Sequence, residues 1–214
     1  MPKCLDVYAF WDLNVTGTLN VFEAAHRAGV TQVVYLSSTS VRHQASLYGH
    51  TKVLGEEIAQ TYGTRHGMQV VTLRPRGFIP HWNRATYASF VEWLRWFWRG
   101  AVHIEDVAQA VVRSLDLLAT TRVAPPGALV VDGAYEYTAA DLAAWDTAGP
   151  GSIFKKYYAP YYDLALRYGL KPEEKPYIYD IAETHQWLGY VPSYSLRHAL
   201  EDLARYGPTG PPWP

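Results

Sequence analysis

Tyr48 and Lys52 stand four residues apart, and on a helix that spacing puts both side chains on one face. A free phenol titrates near pH ~10, so a tyrosine that moves protons at neutral pH needs a cation beside it to hold the phenolate. Lys52 supplies that cation. Upstream, Ser38 closes an apolar run. A hydroxyl at the carboxyl end of a strand faces the crevice where open α/β sheets hold their ligands, within reach of a substrate oxygen. Serine, tyrosine and lysine together make a proton-transfer group suited to a carbinol or a carbonyl. The same spacing also fits a surface tyrosine with a helical lysine neighbour, so the surrounding segments have to decide.

Those segments read as alternating helices and strands. After Asn14, the residues Leu19, Phe22, Ala25 and Ala28 recur at helical spacing and stop at Gly29, which predicts a helix over 14–28. Residues 31–36 form a β-branched run, apolar on both faces as a buried parallel strand should be, and it ends in Ser37, Ser38, Thr39 and Ser40. A helix from Ser46 to His66 with Leu47, Leu54, Ile58 and Tyr62 inward carries the Tyr48 and Lys52 pair, and Gly67 ends it. Strands are expected at 69–73 and 128–131, an aromatic helix at 87–98, and an amphipathic helix at 104–120 whose Glu105 and Asp106 suit the positive end of the macrodipole. Thr138 with Asp141 resembles a capping box, and helices are expected over 153–168, 180–188 and 195–206 before a coil tail at 208–214. Strands separated by helices argue for a parallel α/β sheet, with a more helical lobe after about residue 133.

Composition narrows the function. The 214 residues are 49% hydrophobic and 18% charged, the balance of a globular chain of one domain or little more, which excludes disorder and fibrous repeats. Nineteen Lys and Arg against twenty Asp and Glu leave a net charge of -1, so no basic excess is present for a phosphate backbone and nucleic acid is not an expected partner. A single cysteine, Cys4, allows neither an internal disulfide nor a shared zinc, which favours the cytoplasm. Met1, Pro2 and Lys3 open no signal-peptide core, and no apolar run reaches membrane-spanning length. The eight histidines show no ligand spacing, so no metal site is expected. Eight Trp and seventeen Tyr are the compositional oddity. Around 90–99, Phe90, Trp93, Leu94 and Phe97 share one helical face, as in a core or lobe helix, while Trp96 and Trp98 with Arg95 and Arg99 point elsewhere and suggest an exposed aromatic patch suited to a protein interface, with a membrane-surface helix as a third alternative.

Six segments occur in one order: Asn14-Val15-Thr16-Gly17-Thr18, Val33-Val34-Tyr35-Leu36-Ser37-Ser38, Tyr48-Gly49-His50-Thr51-Lys52 with Gly55-Glu56, Leu73-Arg74-Pro75, the run from Val102 to Ala108, and Leu188-Gly189-Tyr190-Val191-Pro192. In this order the sequence resembles the extended short-chain dehydrogenases, the NAD-dependent epimerase and dehydratase family that works on nucleotide sugars, from about residue 12 to residue 206. The resemblance implies a Rossmann-like, doubly wound parallel sheet over 1–133, whose 76–100 segment can join the lobe, a helical substrate lobe over 134–206 and a tail at 207–214. It implies that Tyr48 is the catalytic acid or base, that Lys52 lowers its pKa and holds the nicotinamide ribose of NAD or NADP, and that Ser38 orients the substrate, with Thr39 and Ser40 as neighbours. Pro75 and Gly77 then line the nicotinamide end of the site, and Asn14 is an internal polar support.

Two departures from that pattern are plain. No glycine-rich turn of the Gly-x-Gly-x-x-Gly kind occurs anywhere in the 214 residues, so the sheet is expected to be incomplete, lacking its N-terminal strands and the backbone cradle for a pyrophosphate. Tight dinucleotide binding by this chain alone is therefore not expected, and a partner chain, a second copy, or a start upstream of Met1 would have to supply the missing half. The linker 41–47 between Ser38 and Tyr48 is also short for the family. Arg76, beside Pro75, offers a cation to a substrate phosphate or carboxylate. The competing expectation is a non-catalytic remnant that pairs through the aromatic helix and a bare sheet edge.

Overall fold

The structure, a computed structural model, describes residues 6–43 and 46–212. Cys4 and the Gln44-Ala45 part of the short linker lie outside the described residues. The described residues divide into two compact units: those within 6–77, 107–131 and 180–190 form the first, and those within 78–106, 132–179 and 191–212 the second.

The first unit opens with α1 (Val7–Trp11), passes through a π-helical turn at Asp12–Thr16 and continues as α2 (Gly17–Arg27). The single helix expected over 14–28 thus begins earlier and is interrupted. The wide turn aims Asn14 inward, and Gly17 suits it because a Cβ there would stand 3.3 Å from the Asp12 carbonyl. β1 (Gln32–Leu36) follows, then a 3₁₀ turn at Thr39–Arg42 and α3 (Leu47–His66). Ser46 caps α3 by accepting from Gly49 N, and Gly67, at φ 66°, ends it in the left-handed conformation that glycine adopts most easily. β2 (Gln69–Pro75) lies in the centre of a three-stranded parallel sheet of order β1-β2-β3, Val34 opposite Val71 and Leu73 opposite Leu129. The sheet is therefore the parallel α/β type, and the fold is a partial Rossmann-like one.

Between β2 and β3 the chain makes α4 (Phe90–Arg99), in the second unit, and α5 (Ile104–Thr121), whose first three residues belong to the second unit and the rest to the first. β3 is Leu129–Val131. The second unit continues with α6 (Ala139–Ala143), α7 (Trp145–Ala148), α8 (Ser152–Tyr158) and α9 (Tyr162–Arg167). The helix expected over 153–168 is thus broken, because Pro160 lacks the N–H a continuing helix needs and a 3₁₀ turn takes its place. Thr138 and Asp141 form the expected capping box. α10 (Ala182–Leu188) returns to the first unit, α11 (Leu196–Tyr206) to the second, and the expected coil tail starts with a 3₁₀ turn at Gly207–Thr209.

The aromatic excess is the core of the second unit. On α4, Trp93 stacks on Phe97 at 4.7 Å, and Trp98 meets Phe154 edge-on at 5.3 Å. Rings of this size carry most of the apolar area a small unit can bury. The exposed patch predicted for Trp96 and Trp98 is not there: Trp98 is 2% exposed with its indole N–H on the Lys171 carbonyl, and Trp96 is half-buried against Tyr87. Arg95 is likewise occupied, donating to the carbonyls of Gly169 and Tyr168. An amphipathic count assigns a helix one buried face, whereas α4 is enclosed on most sides by its own unit.

Candidate active site

Every site residue named from the sequence lies in the first unit. Leu36 ends β1 and Pro75 ends β2, so Ser38 and Arg76 leave the sheet at its carboxyl edge, where parallel sheets present ligand sites. Ser38 is 9% exposed and heads the 3₁₀ turn, its Oγ accepting from Ser40 N at 3.1 Å. As an acceptor there it keeps its own O–H to donate. Thr39 and Val41 are buried in the same turn. Arg76 N donates to the Val131 carbonyl at 2.9 Å, which extends the sheet pairing one residue beyond Pro75, and Gly77 is exposed.

α3 brings Tyr48 and Lys52 to this edge. The Lys52 ammonium donates to the Leu36 carbonyl at 2.9 Å and lies 5.5 Å from the centre of the Tyr35 ring. Burial pushes the Lys52 pKa below its ordinary value, and Glu56, one turn further along α3, opposes the fall. The Tyr48 ring lies 6.1 Å from Phe10 and is exposed, ready for a solvent-borne ligand. Among the described residues no hydrogen bond joins Tyr48 to Lys52 or to Ser38. One of the three N–H donors of Lys52 is used on Leu36, leaving two for a phenolate or a diol.

Asn14 reaches the site from behind. Its Nδ2 donates to Thr51 Oγ1 at 3.0 Å, and the Thr51 hydroxyl donates to the Tyr48 carbonyl at 3.0 Å, so the π-turn is fastened to the α3 turn that carries the tyrosine. Two glycines let α3 approach this closely. A Cβ on Gly49 would stand 2.4 Å from the Ser40 carbonyl, and one on Gly55 would stand 2.1 Å from the Tyr35 hydroxyl.

Sequence reasoning passed over a second group. Ser37 Oγ donates to Glu56 at 2.5 Å, and Arg74 forks onto both oxygens of the same carboxylate at 2.8 and 2.5 Å. The sequence signal was Glu56 at one helical turn from Lys52, but its partners are long-range and a local pattern does not show them. Asp106 is similar: instead of acting only on a helix end, it is 1% exposed and accepts from Ser193 N, Ser193 Oγ and Tyr194 N. Among the described residues no cluster of His, Cys, Asp or Glu could hold a metal ion, and no helix is long and apolar enough to cross a membrane.

A parallel sheet with helices packed on it, and with Ser38 and Lys52 at its carboxyl edge, defines a class: Rossmann-like α/β proteins, here with part of the sheet. The comparisons with known proteins agree. A sequence model described as NAD dependent epimerase/dehydratase family matches residues 5–124, and the chain belongs to that family. Uronate dehydrogenase of Pseudomonas syringae pv. tomato is 32% identical over 118 residues, 46% of this chain and 42% of the dehydrogenase. Two solved structures share the fold at 18% identity: UDP-N-acetylglucosamine 4-epimerase from Bacillus cereus, with a TM-score of 0.62 over 94% of this chain and 73% of that one, and UDP-glucuronic acid 4-epimerase from Bacillus cereus in complex with NAD, with 0.58 over 88% and 65%. The chain thus spans well under half the length of the uronate dehydrogenase it matches and about two thirds of the glucuronic acid epimerase.

Proposed function

We propose that this chain carries the catalytic, nicotinamide end of an NAD(P)-dependent enzyme that epimerises, dehydrates or reduces a nucleotide-linked sugar, with Tyr48 moving the hydroxyl proton. The observation that carries the reading is Lys52: its ammonium is fastened to the carbonyl of Leu36, two residues before Ser38 on the same strand end and one turn from Tyr48 on α3. In this arrangement Ser38 donates to the substrate oxygen, Tyr48 takes or returns the proton, and Lys52 stabilises the phenolate and binds the ribose. Thr39 and Arg76 would meet the substrate, and Pro75 and Gly77 would line the nicotinamide end.

The residues present fit one end of the cofactor. Lys52 retains donors for a ribose diol, and Ser38 and Pro75 mark the strand ends. For the pyrophosphate end the sequence offers no glycine-rich turn, so the adenosine half would be held by residues outside these 214. A nicotinamide bound here supplies a hydride acceptor and donor. The chain given millimolar NAD⁺ and UDP-glucuronic acid should yield an epimerised or dehydrated sugar nucleotide with no net change in the nicotinamide, or, given NADH or NADPH and a nucleotide-linked keto sugar, should consume the reduced nicotinamide, both read by NMR of the products, and Tyr48→Phe should lower turnover at least about 100-fold. Turnover unchanged in Tyr48→Phe would end the assignment.

A second reading, an interaction module, keeps two supporting observations after the loss of the aromatic patch. α1 has no buried residue, leaving Val7, Tyr8 and Trp11 exposed, and among the described strands β1 pairs only with β2. An open apolar edge of this kind favours a covering chain or a second copy. Light scattering that finds a strict monomer would count against it.

A further inference from the structure

Three chain segments that carry the proposed site meet at one carboxylate. Ser37, the residue before Ser38, donates to Glu56 at 2.5 Å. Arg74, the residue before Pro75, holds both Glu56 oxygens. Glu56 itself lies one turn from Lys52 on α3. The pair is sheltered, with the Glu56 side chain 15% and the Arg74 side chain 29% exposed. A bidentate guanidinium–carboxylate fork fixes both distance and plane, which a single-point contact does not.

We propose that Glu56 is a positioning residue for the site: it ties the ends of β1 and β2 to α3 and sets where Ser38 and Lys52 stand relative to Tyr48. This rests on the reading of Ser38, Tyr48 and Lys52 as the catalytic group. An ion pair remote from the site would act on stability alone. A positioning carboxylate also sets the electrostatic surroundings of Lys52, which otherwise faces the Leu36 carbonyl and the Tyr35 ring. Burial disfavours the Lys52 ammonium and Glu56 is the charge that offsets it. Arg74 in turn neutralises much of Glu56.

The two partners should therefore move Lys52 in opposite directions. In the full chain, with the Lys52 side-chain resonances followed by NMR against pH, Glu56→Gln should lower its titration midpoint by roughly half a pH unit, and Arg74→Gln, which leaves the carboxylate uncompensated, should raise it. Circular dichroism identifies which variants are folded, and either folded variant suffices. A Lys52 midpoint equal to wild type in a folded variant overturns the proposal. This readout needs no turnover, so it separates the two claims: if Tyr48→Phe abolishes turnover while Lys52 stays unmoved, only the positioning role fails, and if Tyr48→Phe leaves turnover intact, the site reading itself fails.

Discussion

The ammonium of Lys52 is anchored on the carbonyl oxygen of Leu36 at 2.9 Å, which fastens the first turns of α3 to the carboxyl end of β1. The lysine is thus held by the strand that leads into Ser38, and the Tyr48 ring, one turn earlier on α3, is exposed. Under the proposed function, a cation kept in place by backbone would need little reorganisation when a phenolate forms at Tyr48, which is how a preorganised charge accelerates proton transfer.

The approach of α3 to the 3₁₀ turn depends on Gly49. Its missing Cβ would overlap two backbone carbonyls, of Ser40 at 2.4 Å and of His43 at 2.8 Å, and backbone yields less readily than a side-chain tip. Gly49→Ala should cost about 1–3 kcal/mol in urea denaturation and displace Tyr48 at the same time. Gly127→Ala, where nothing lies within 4 Å of the added carbon, is the control and should leave stability near wild type.

In the second unit Asp106 organises the turn at Ser193 and Tyr194. All three of its contacts come from donors, so an amide nitrogen in place of one oxygen would face an N–H or O–H. Asp106→Asn should destabilise the chain by about 1–3 kcal/mol, measured by thermal or denaturant unfolding. An unchanged midpoint would mean that the turn holds without it.

His81 should make the second unit acid-sensitive. It is buried between Trp82, Phe90 and Trp93, with no hydrogen-bond partner on Nε2. Burial pushes its pKa below the ordinary 6.5; the Pro211 carbonyl and Asp202 oppose this, while His103 and Arg84 reinforce it. The unfolded chain therefore takes the proton first, and stability present above about pH 6.5 is lost as pH falls through the lower folded value. His103, lowered for the same reason, adds to the slope. His81→Phe should flatten the decline of the melting temperature between neutral and mildly acidic pH. An identical decline in wild type and variant would remove His81 from the account.

The sequence made the strands legible because short β-branched runs such as Val33-Val34 and Val70-Val71 have few other uses, and the Ser46 cap with Gly67 bounded α3 to within a residue. Three features were hidden for physical reasons. α1 is apolar throughout and shows no polar face to mark its period. Trp98 is buried because neighbours distant in sequence surround α4, which local periodicity does not record. The Glu56–Arg74 fork joins a helix to a strand, so neither segment announces it. The spacing of Tyr48 and Lys52 on one helix was legible because it is local, whereas the long-range pairing of Glu56 with Ser37 and Arg74 was not.

The measurement that bears most directly on the central claim is an NMR titration of the full chain with nicotinamide mononucleotide, AMP and NAD⁺ in parallel. If these residues hold only the nicotinamide end, the mononucleotide should shift the resonances of Lys52, Tyr48 and Ser38, AMP should shift none of them, and NAD⁺ should bind within about tenfold of the mononucleotide, a difference of no more than ~1.4 kcal/mol. Lys52→Ala should abolish the shifts. Resonances of Lys52 and Tyr48 that stay unmoved by the mononucleotide, or shifts that persist in Lys52→Ala, would contradict the account.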